Sequence, residues 1–303
     1  MMADDIINID SMEAYNELHG MDACHPLVGV VDMADATRMP THYKVRYGMY
    51  ALFLKNTTNC TIRYGRNMYD YKYGTITSFA PGQVVEVQVN GPADRPASCI
   101  GLLFHPDFIK GTSLAQDIKN YSFFAYSSNE ALHISEEERG IYMDCLEKIK
   151  FELKRPLDSF TRKLIARNIQ LLLDYCMRFY ARQFESRKPI CRDVLTAFER
   201  NLDDYFASGM AQREGLPSVR IFADKACLSP NYFGDLIKRE TGITAQQHIQ
   251  NKIMDLAKEQ LLGTDMTVSQ IAYRLGFEYP QHFSRIFKKM SGLTPNVYRQ
   301  HQA

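Results

Sequence analysis

In the stretch PQHFSRIFKKMSGLT (280–294), Gln281, Ser284, Arg285 and Lys288 are spaced three and four apart, with Lys289 beside them. On an α-helix that spacing makes one polar row. Arginine offers paired donors that match guanine, glutamine pairs with adenine, and Lys and Ser commonly meet phosphates. Phe283, Ile286, Phe287 and Met290 fall at i, i+3, i+4 and i+7, an apolar stripe for docking the helix on its own domain. A single helix with a solvated polar face would look the same, so the row alone does not establish nucleic-acid chemistry.

A second copy of the pattern lies about fifty residues earlier. FADKACLSPNYFGDLIKRETGIT (222–244) aligns with IAYRLGFEYPQHFSRIFKKMSGLT (271–294) after one insertion. Ala223 meets Ala272, Phe233 meets Phe283, Lys238 meets Lys288, Gly242 meets Gly292 and Thr244 meets Thr294. One structural unit is used twice. Each copy reads as short helix, tight turn, longer helix. Ser229 is a good N-cap, Pro230 a good first helical residue, and Gly242 can close the helix in the left-handed conformation. In the second copy Val268–Leu275 forms the short helix, Gly276 the turn, and Pro280 and Gly292 bound the long one. Between the copies lies a helix near His248–Leu262, with Ile249, Ile253, Leu256, Ala257 and Leu261 on one side. Its fifteen residues span ~22 Å. That is a stiff spacer for two units on successive major grooves, ~34 Å apart.

These motifs, IAYRLGFEYPQHFSRIFKKMSGLTPNVYR (271–299) above all, with LSPNYFGDLIKRETGIT (228–244) before it, closely resemble the AraC/XylS family of bacterial transcription regulators. The resemblance covers roughly residues 190–301. It implies two helix-turn-helix units on a linker helix, binding double-stranded promoter DNA, with RNA polymerase as a further partner. Carried over by position, the base-facing candidates are Asn231, Gly234 and Asp235 in the first unit, and Pro280, Gln281, Ser284 and Arg285 in the second. The first unit departs from the family, which often has long polar or basic side chains there. Gly234 has no side chain to offer, and Asp235 repels phosphate although it can accept from cytosine. Direct reading therefore falls mainly to Gln281 and Arg285. Lys238, Arg239, Lys288 and Lys289 are expected on the phosphate backbone.

The elements before these units change period. From about Tyr43 to Leu103, short β-forming runs such as MYALFLKN, GTITSFAPG and SCIGLLF are cut by turn residues, which points to a small sandwich or barrel. The resemblance implies a cupin-type sensing domain here. Seven tyrosines lie between Tyr43 and Tyr73, with Arg46, Arg63 and Arg66 among them. An aromatic and guanidinium lining suits a sugar or small acid, with Arg46, Tyr50, Arg63 and Tyr64 as candidate ligand residues. Tyrosine is also simply a good strand residue with a wet tip. From about Ser135, Tyr142, Leu146, Ile149 and Leu153 mark one amphipathic helix. After Arg155-Pro156, Ile165, Ile169, Leu172, Cys176 and Phe179 mark a second. Leu164, Leu171 and Tyr175 add a further apolar face, for the β-domain or a second subunit. A polar junction, ESRKP (185–189), precedes another stripe from Val194 to Phe206.

Composition sets outer bounds. Net charge is +1 over 303 residues. Residues 187–303 carry 16 Lys/Arg against 12 Asp/Glu, net +4, and residues 1–186 carry 20 against 23, net −3. A basic C-terminal third hints at nucleic acid. MMADDIINID lacks a basic n-region, so no secretory signal is expected, and no run reaches membrane-helix length. A cytoplasmic location follows as an expectation. The seven scattered cysteines are expected reduced and buried. No His-Xaa-His occurs, so neither a metal nor another cofactor is expected, nor is the chain expected to be an enzyme.

The expected fold is α+β. A cupin-like β-barrel over 1–130 is followed by a helical dimerisation hairpin over 131–186. An all-α DNA-binding domain over 187–303 holds helix-turn-helix units near 219–242 and 268–292. The expected function is promoter binding, with activation, as a homodimer modulated by a small-molecule effector. In the alternative the β-domain only dimerises and binds no effector. A third reading, an enzyme fused to a DNA reader, would need a clustered, activated cysteine.

Overall fold

A computed structural model describes the chain except residues 1–5, 23–24, 39, 41, 56–61, 65–66, 70–73, 89–98, 128–129, 157 and 303. The side chains of 42, 62–64, 67–69, 88 and 301–302 also lie outside the described residues. The chain divides into two compact units, residues 1–186 and 187–303.

In the first unit, strand β1 (Ile6–Ile9) leads into helix α1 (Met12–His19), followed by β2 (Val28–Asp32), β3 (His42–Tyr47) and β4 (Tyr50–Lys55). The short strands β5 (Ile62–Tyr64) and β6 (Asn67–Tyr69) pair as a hairpin, and β7 (Thr75–Phe79), β8 (Val84–Gln88) and β9 (Cys99–Phe104) complete the run. Helices α2 (Pro106–Ile109) and α3 (Ser113–Asp117) precede β10 (Leu132–His133). One sheet has the order β1-β3-β8 and the other β10-β7-β4-β9-β2. Side chains alternate across each strand. On β4, Ala51 and Phe53 enter a core shared with Val45 and Tyr47 of the other sheet, while Leu52 and Leu54 are buried on the opposite face. Burial on both faces explains why this strand reads as an unbroken apolar run.

Helices α4 (Glu136–Leu153) and α5 (Thr161–Ser186) bury Tyr142, Leu146, Ile149, Ile165, Ile169, Leu172, Cys176 and Phe179 from the stripes that mark them, whereas Leu153, in the last turn of α4, is half-buried. The Ser135 side chain and Glu138 close a capping box at the start of α4. Arg182, near the end of α5, donates from Nε to Glu138 Oε1 at 2.6 Å, so the two helices run antiparallel. Leu164 and Leu171 are 43% and 41% exposed, so neither packs into the β-core. The polar junction expected at 185–189 contracts to a single break. α5 runs through Ser186 and α6 (Lys188–Ala207) starts after Arg187.

The second unit continues with α7 (Met210–Glu214), α8 (Val219–Lys225), α9 (Pro230–Thr241), α10 (Ala245–Gly263), α11 (Val268–Arg274), α12 (Pro280–Ser291) and α13 (Pro295–Gln302). Phe198 of α6 meets Phe222, Phe233 and His248 edge-on, with ring centroids 5.1, 5.4 and 5.8 Å away, and so ties α8, α9 and α10 to one point. The second half centres on Phe277, Phe283, Phe287 and Tyr298, stepped 5.3, 5.7 and 5.4 Å apart. Arg299 donates to the carbonyls of Leu261 and Met266 at 2.9 and 2.6 Å, which satisfies the end of α10 and fixes α13 beside it.

Candidate nucleic-acid interface

The two copies repeat in backbone detail. At the turn, Leu228 N–H donates to Ala223 O at 3.0 Å, and Phe277 N–H donates to Ala272 O at 2.9 Å. Cys227 and Gly276 hold the equivalent left-handed position, at φ 56° and 93°. At the far end, Gly242 and Gly292 adopt φ 79° and 80° and donate to Lys238 O and Lys288 O at 2.8 and 2.9 Å. Thr244 then caps α10 by accepting from Gln247 N–H, and Thr294 accepts from Val297 N–H at the start of α13. The shared Lys-Xaa-Xaa-Xaa-Gly-Xaa-Thr is thus a joint between helices. The lysine carbonyl belongs to the joint while its side chain stays outside.

One further repeat escapes sequence alignment. Thr241 Oγ1 lies 2.8 Å from Ile237 O and 3.1 Å from Ile243 O, and Ser291 Oγ lies 2.7 Å from Phe287 O and 3.0 Å from Leu293 O. A hydroxyl just before the closing glycine is the signal that could have revealed it.

The outward faces hold most of the expected side chains. On α9, Tyr232, Phe233, Leu236 and Ile237 are buried, whereas Asn231, Lys238 and Arg239 are exposed and Asp235 is half-buried. On α12, Phe283 and Phe287 are buried, whereas Gln281, Arg285, Lys288 and Lys289 are exposed. Ser284 is half-buried and sits at the flank of this face. Five cations therefore face solvent on the two helices, with Asp235 the one anion among the expected contacts. Among the described residues, Lys238, Arg285, Lys288 and Lys289 make no ion pair, so they can meet phosphate without breaking one. Two exposed aromatic side chains were missed: Tyr279, 60% exposed directly before α12, and His282 next to Gln281. A hydrogen bond to Glu278 raises the pKa of the Tyr279 hydroxyl.

Several expectations are corrected. Met290 does not dock with Phe283 and Phe287. It is 41% exposed, because the apolar face of α12 narrows towards its end. The spacer is longer than expected. α10 has 19 residues and so spans ~28 Å, because the Thr244–Gln247 capping box starts the helix before His248. Cys227 is exposed, while Cys99, Cys145, Cys176 and Cys191 are buried, and Cys24 and Cys60 lie outside the described residues. Burial pushes the Cys99 thiol up to about 11 and raises those of Cys145 and Cys176, the opposite of an activated nucleophile.

Of the four expected ligand residues, the side chains of Arg46 and Tyr50 are described, and they lie on different sheets. Arg46 is exposed on β3, while Tyr50 is half-buried on the other sheet, its ring 5.1 Å from Phe104 and 5.0 Å from Phe124. Arg66 and the side chains of Arg63 and Tyr64 lie outside the described residues. Between the sheets, Tyr15, Tyr47, Phe53 and Phe79 fill the space, with Tyr47 stacked on Phe79 at 6.0 Å. Burial lifts the Tyr43 hydroxyl to about 12 and raises Tyr15 and Tyr47 further. Among the described residues, no His, Cys, Asp and Glu side chains gather into a metal site, and no helix is long and apolar enough to cross a membrane.

Residues 222–301, which hold both turns, match the family described as a helix-turn-helix domain. The chain is 33% identical to the TetD protein of transposon Tn10 from Escherichia coli over 137 residues, 45% of this chain and 86% of that protein. The chain belongs to the AraC/XylS family of transcription regulators. The regulator is also 23% identical over 231 residues to the uncharacterized HTH-type transcriptional regulator YijO of Escherichia coli, covering 75% of this chain and 76% of that protein. Its identity to the uncharacterized HTH-type transcriptional regulator YtdP of Bacillus subtilis is 40% over 72 residues, 24% of this chain, and spans only 9% of that longer protein.

Proposed function

We propose that the regulator binds promoter DNA by placing α9 and α12 in successive major grooves, with α10 as the rigid spacer. The observation that carries this reading is the duplicated turn geometry, each copy holding a helix with one buried apolar face and one exposed basic face. Gln281 and Arg285 read bases with Ser284 beside them, Asn231 and Asp235 make a weaker second reading, and Lys238, Arg239, Lys288 and Lys289 hold the backbone. Binding beside a promoter as an activator, with RNA polymerase as the partner, is the corresponding role. The cupin-like part of the first unit, residues 1–130, senses a small molecule. The α4–α5 pair, within 131–186, joins two copies through the exposed stripe of Leu164 and Leu171. Ligand or dimer state then shifts how the reading helices are presented.

Genome-wide mapping of bound DNA, followed by footprinting on a recovered promoter fragment, tests the reading. Protection of two patches one helical turn apart is expected. A single protected patch, or binding that persists unchanged when the exposed residues of α12 are substituted, would overturn it. A second reading, in which the first unit only dimerises, draws support from the aromatic filling between its sheets. Thermal-shift screening with sugars and small acids separates the two.

A further inference from the structure

A cavity of about 500 Å³ opens in the first unit between the α2–α3 turn and the start of α5. That volume is typical of a small-molecule site. Lys110, Arg162, Lys163 and Arg167 line it, together with the hydroxyl residues Thr112 and Ser113, and no carboxylate is among its described lining residues. The carboxylates nearby are already engaged. Asp107 pairs with Lys110, Asp117 accepts from Gln170 at 2.9 Å, and Asp158 accepts from the N–H groups of Phe160 and Thr161, both at 2.8 Å.

Arg162 is locked in place. Its Nε donates to Phe108 O at 2.9 Å and its Nη2 to Asp107 O and Lys110 O at 3.1 and 2.6 Å, which leaves Nη1 outside these bonds. Lys163 and Arg167 stand one helical turn apart, exposed, with no ion pair among the described residues. Same-sign charges in a concave site concentrate the local potential and favour an anion of opposite sign. Guanidinium groups match phosphate in both charge and geometry. This concentration of positive charge is the more telling because residues 1–186 are acidic overall.

We infer that this cavity binds a phosphorylated small metabolite. Lys163, Arg167 and the fixed Arg162 hold the phosphate, and the Thr112 and Ser113 hydroxyls, which now donate to Ile109 O and Gln170 Oε1, rotate to meet it. The inference rests on the reading that the first unit senses a small molecule, and it moves the site from the space between the sheets to the start of α5.

Calorimetric titration of the full chain with inorganic pyrophosphate and with glycerol 3-phosphate, at constant ionic strength, tests it. Saturable binding is expected, weakened at least about tenfold when Lys163→Ala and Arg167→Ala are combined. Arg167→Gln alone, a milder change, should weaken it in the same direction if the double variant fails to fold. Heat matched by sodium chloride of equal ionic strength, or binding unchanged in both variants, overturns the inference. So does binding of a random duplex to this cavity when neither small phosphate binds. A promoter-fragment titration separates this inference from the sensing reading. Pyrophosphate binding with unchanged DNA affinity upholds the site and removes the sensing role. A sugar or small acid that changes DNA affinity independently of Lys163 and Arg167, while neither small phosphate binds, upholds sensing and removes the site.

Discussion

Cys227 and Gly276 occupy the same left-handed turn position, yet substitution should act on them in opposite directions. At φ 56° the Cys227 backbone holds a conformation that side chains disfavour, and its thiol is exposed. A non-glycine residue in this region is strained by ~1–2 kcal/mol. Replacing it with glycine relieves that strain but frees the unfolded chain, which takes back ~0.4–1 kcal/mol. Cys227→Gly should therefore stabilise the second unit by ~0.5–1 kcal/mol and raise its Tm by ~2–6 °C. At Gly276 a Cβ would stand 2.7 Å from Ala211 O, 2.8 Å from Gly215 C and 3.0 Å from Gly215 O. All three are backbone atoms, so relief requires moving α7 together with the turn at Gly215 that follows it. Gly276→Ala should combine the left-handed strain with that displacement and lower stability by ~2–4 kcal/mol. Thermal and urea unfolding of residues 187–303, followed by circular dichroism, measures both. Cys227→Ala is the control, near neutral because it keeps a Cβ at the same φ. If Cys227→Gly lowered the Tm, or Gly276→Ala were tolerated within about 0.5 kcal/mol, the two turns would not be the same device.

Arg285→Ala should weaken binding to a mapped promoter fragment by ~1–3 kcal/mol and relax sequence preference, whereas Lys288→Ala should weaken binding to all duplexes and lower the salt slope by about one. Mobility shift across a salt series distinguishes them, and equal sequence preference in wild type and Arg285→Ala would refute the assignment. Leu164→Glu with Leu171→Glu should convert a dimer to a monomer in sedimentation with little change in Tm, since both side chains are exposed in the single chain. Burial lowers the His19 pKa from 6.5, with a bond involving the Arg38 backbone partly opposing, and burial acts the same way on His25. The unfolded chain then takes up protons first, so stability is full above the ordinary histidine range and falls as pH drops below about 6.5. Urea melts at about pH 7.5 and about pH 5.5 should show this loss, and His19→Gln should reduce it; an unchanged pH dependence in that variant would exclude His19 as the source.

The DNA-reading half was legible because its determinants are local. Caps such as Ser229, the closing glycines 242 and 292, and the stripes of α9 and α12 depend on residues within a turn or two of each other, so spacing alone reveals them. The buried faces of α4 and α5 were legible for the same reason. Tertiary structure decided what depends on distant segments. Whether Arg46 faces inward or outward is set by strand pairing, and a strand's pattern does not say which of its faces another sheet will cover. Tyr47 and Phe79, far apart in sequence, stack between the sheets, a contact that only the pairing of distant strands creates. The cavity at Lys163 and Arg167 exists only because the α2–α3 turn lies against α5, a contact between residues about fifty positions apart that no local period encodes.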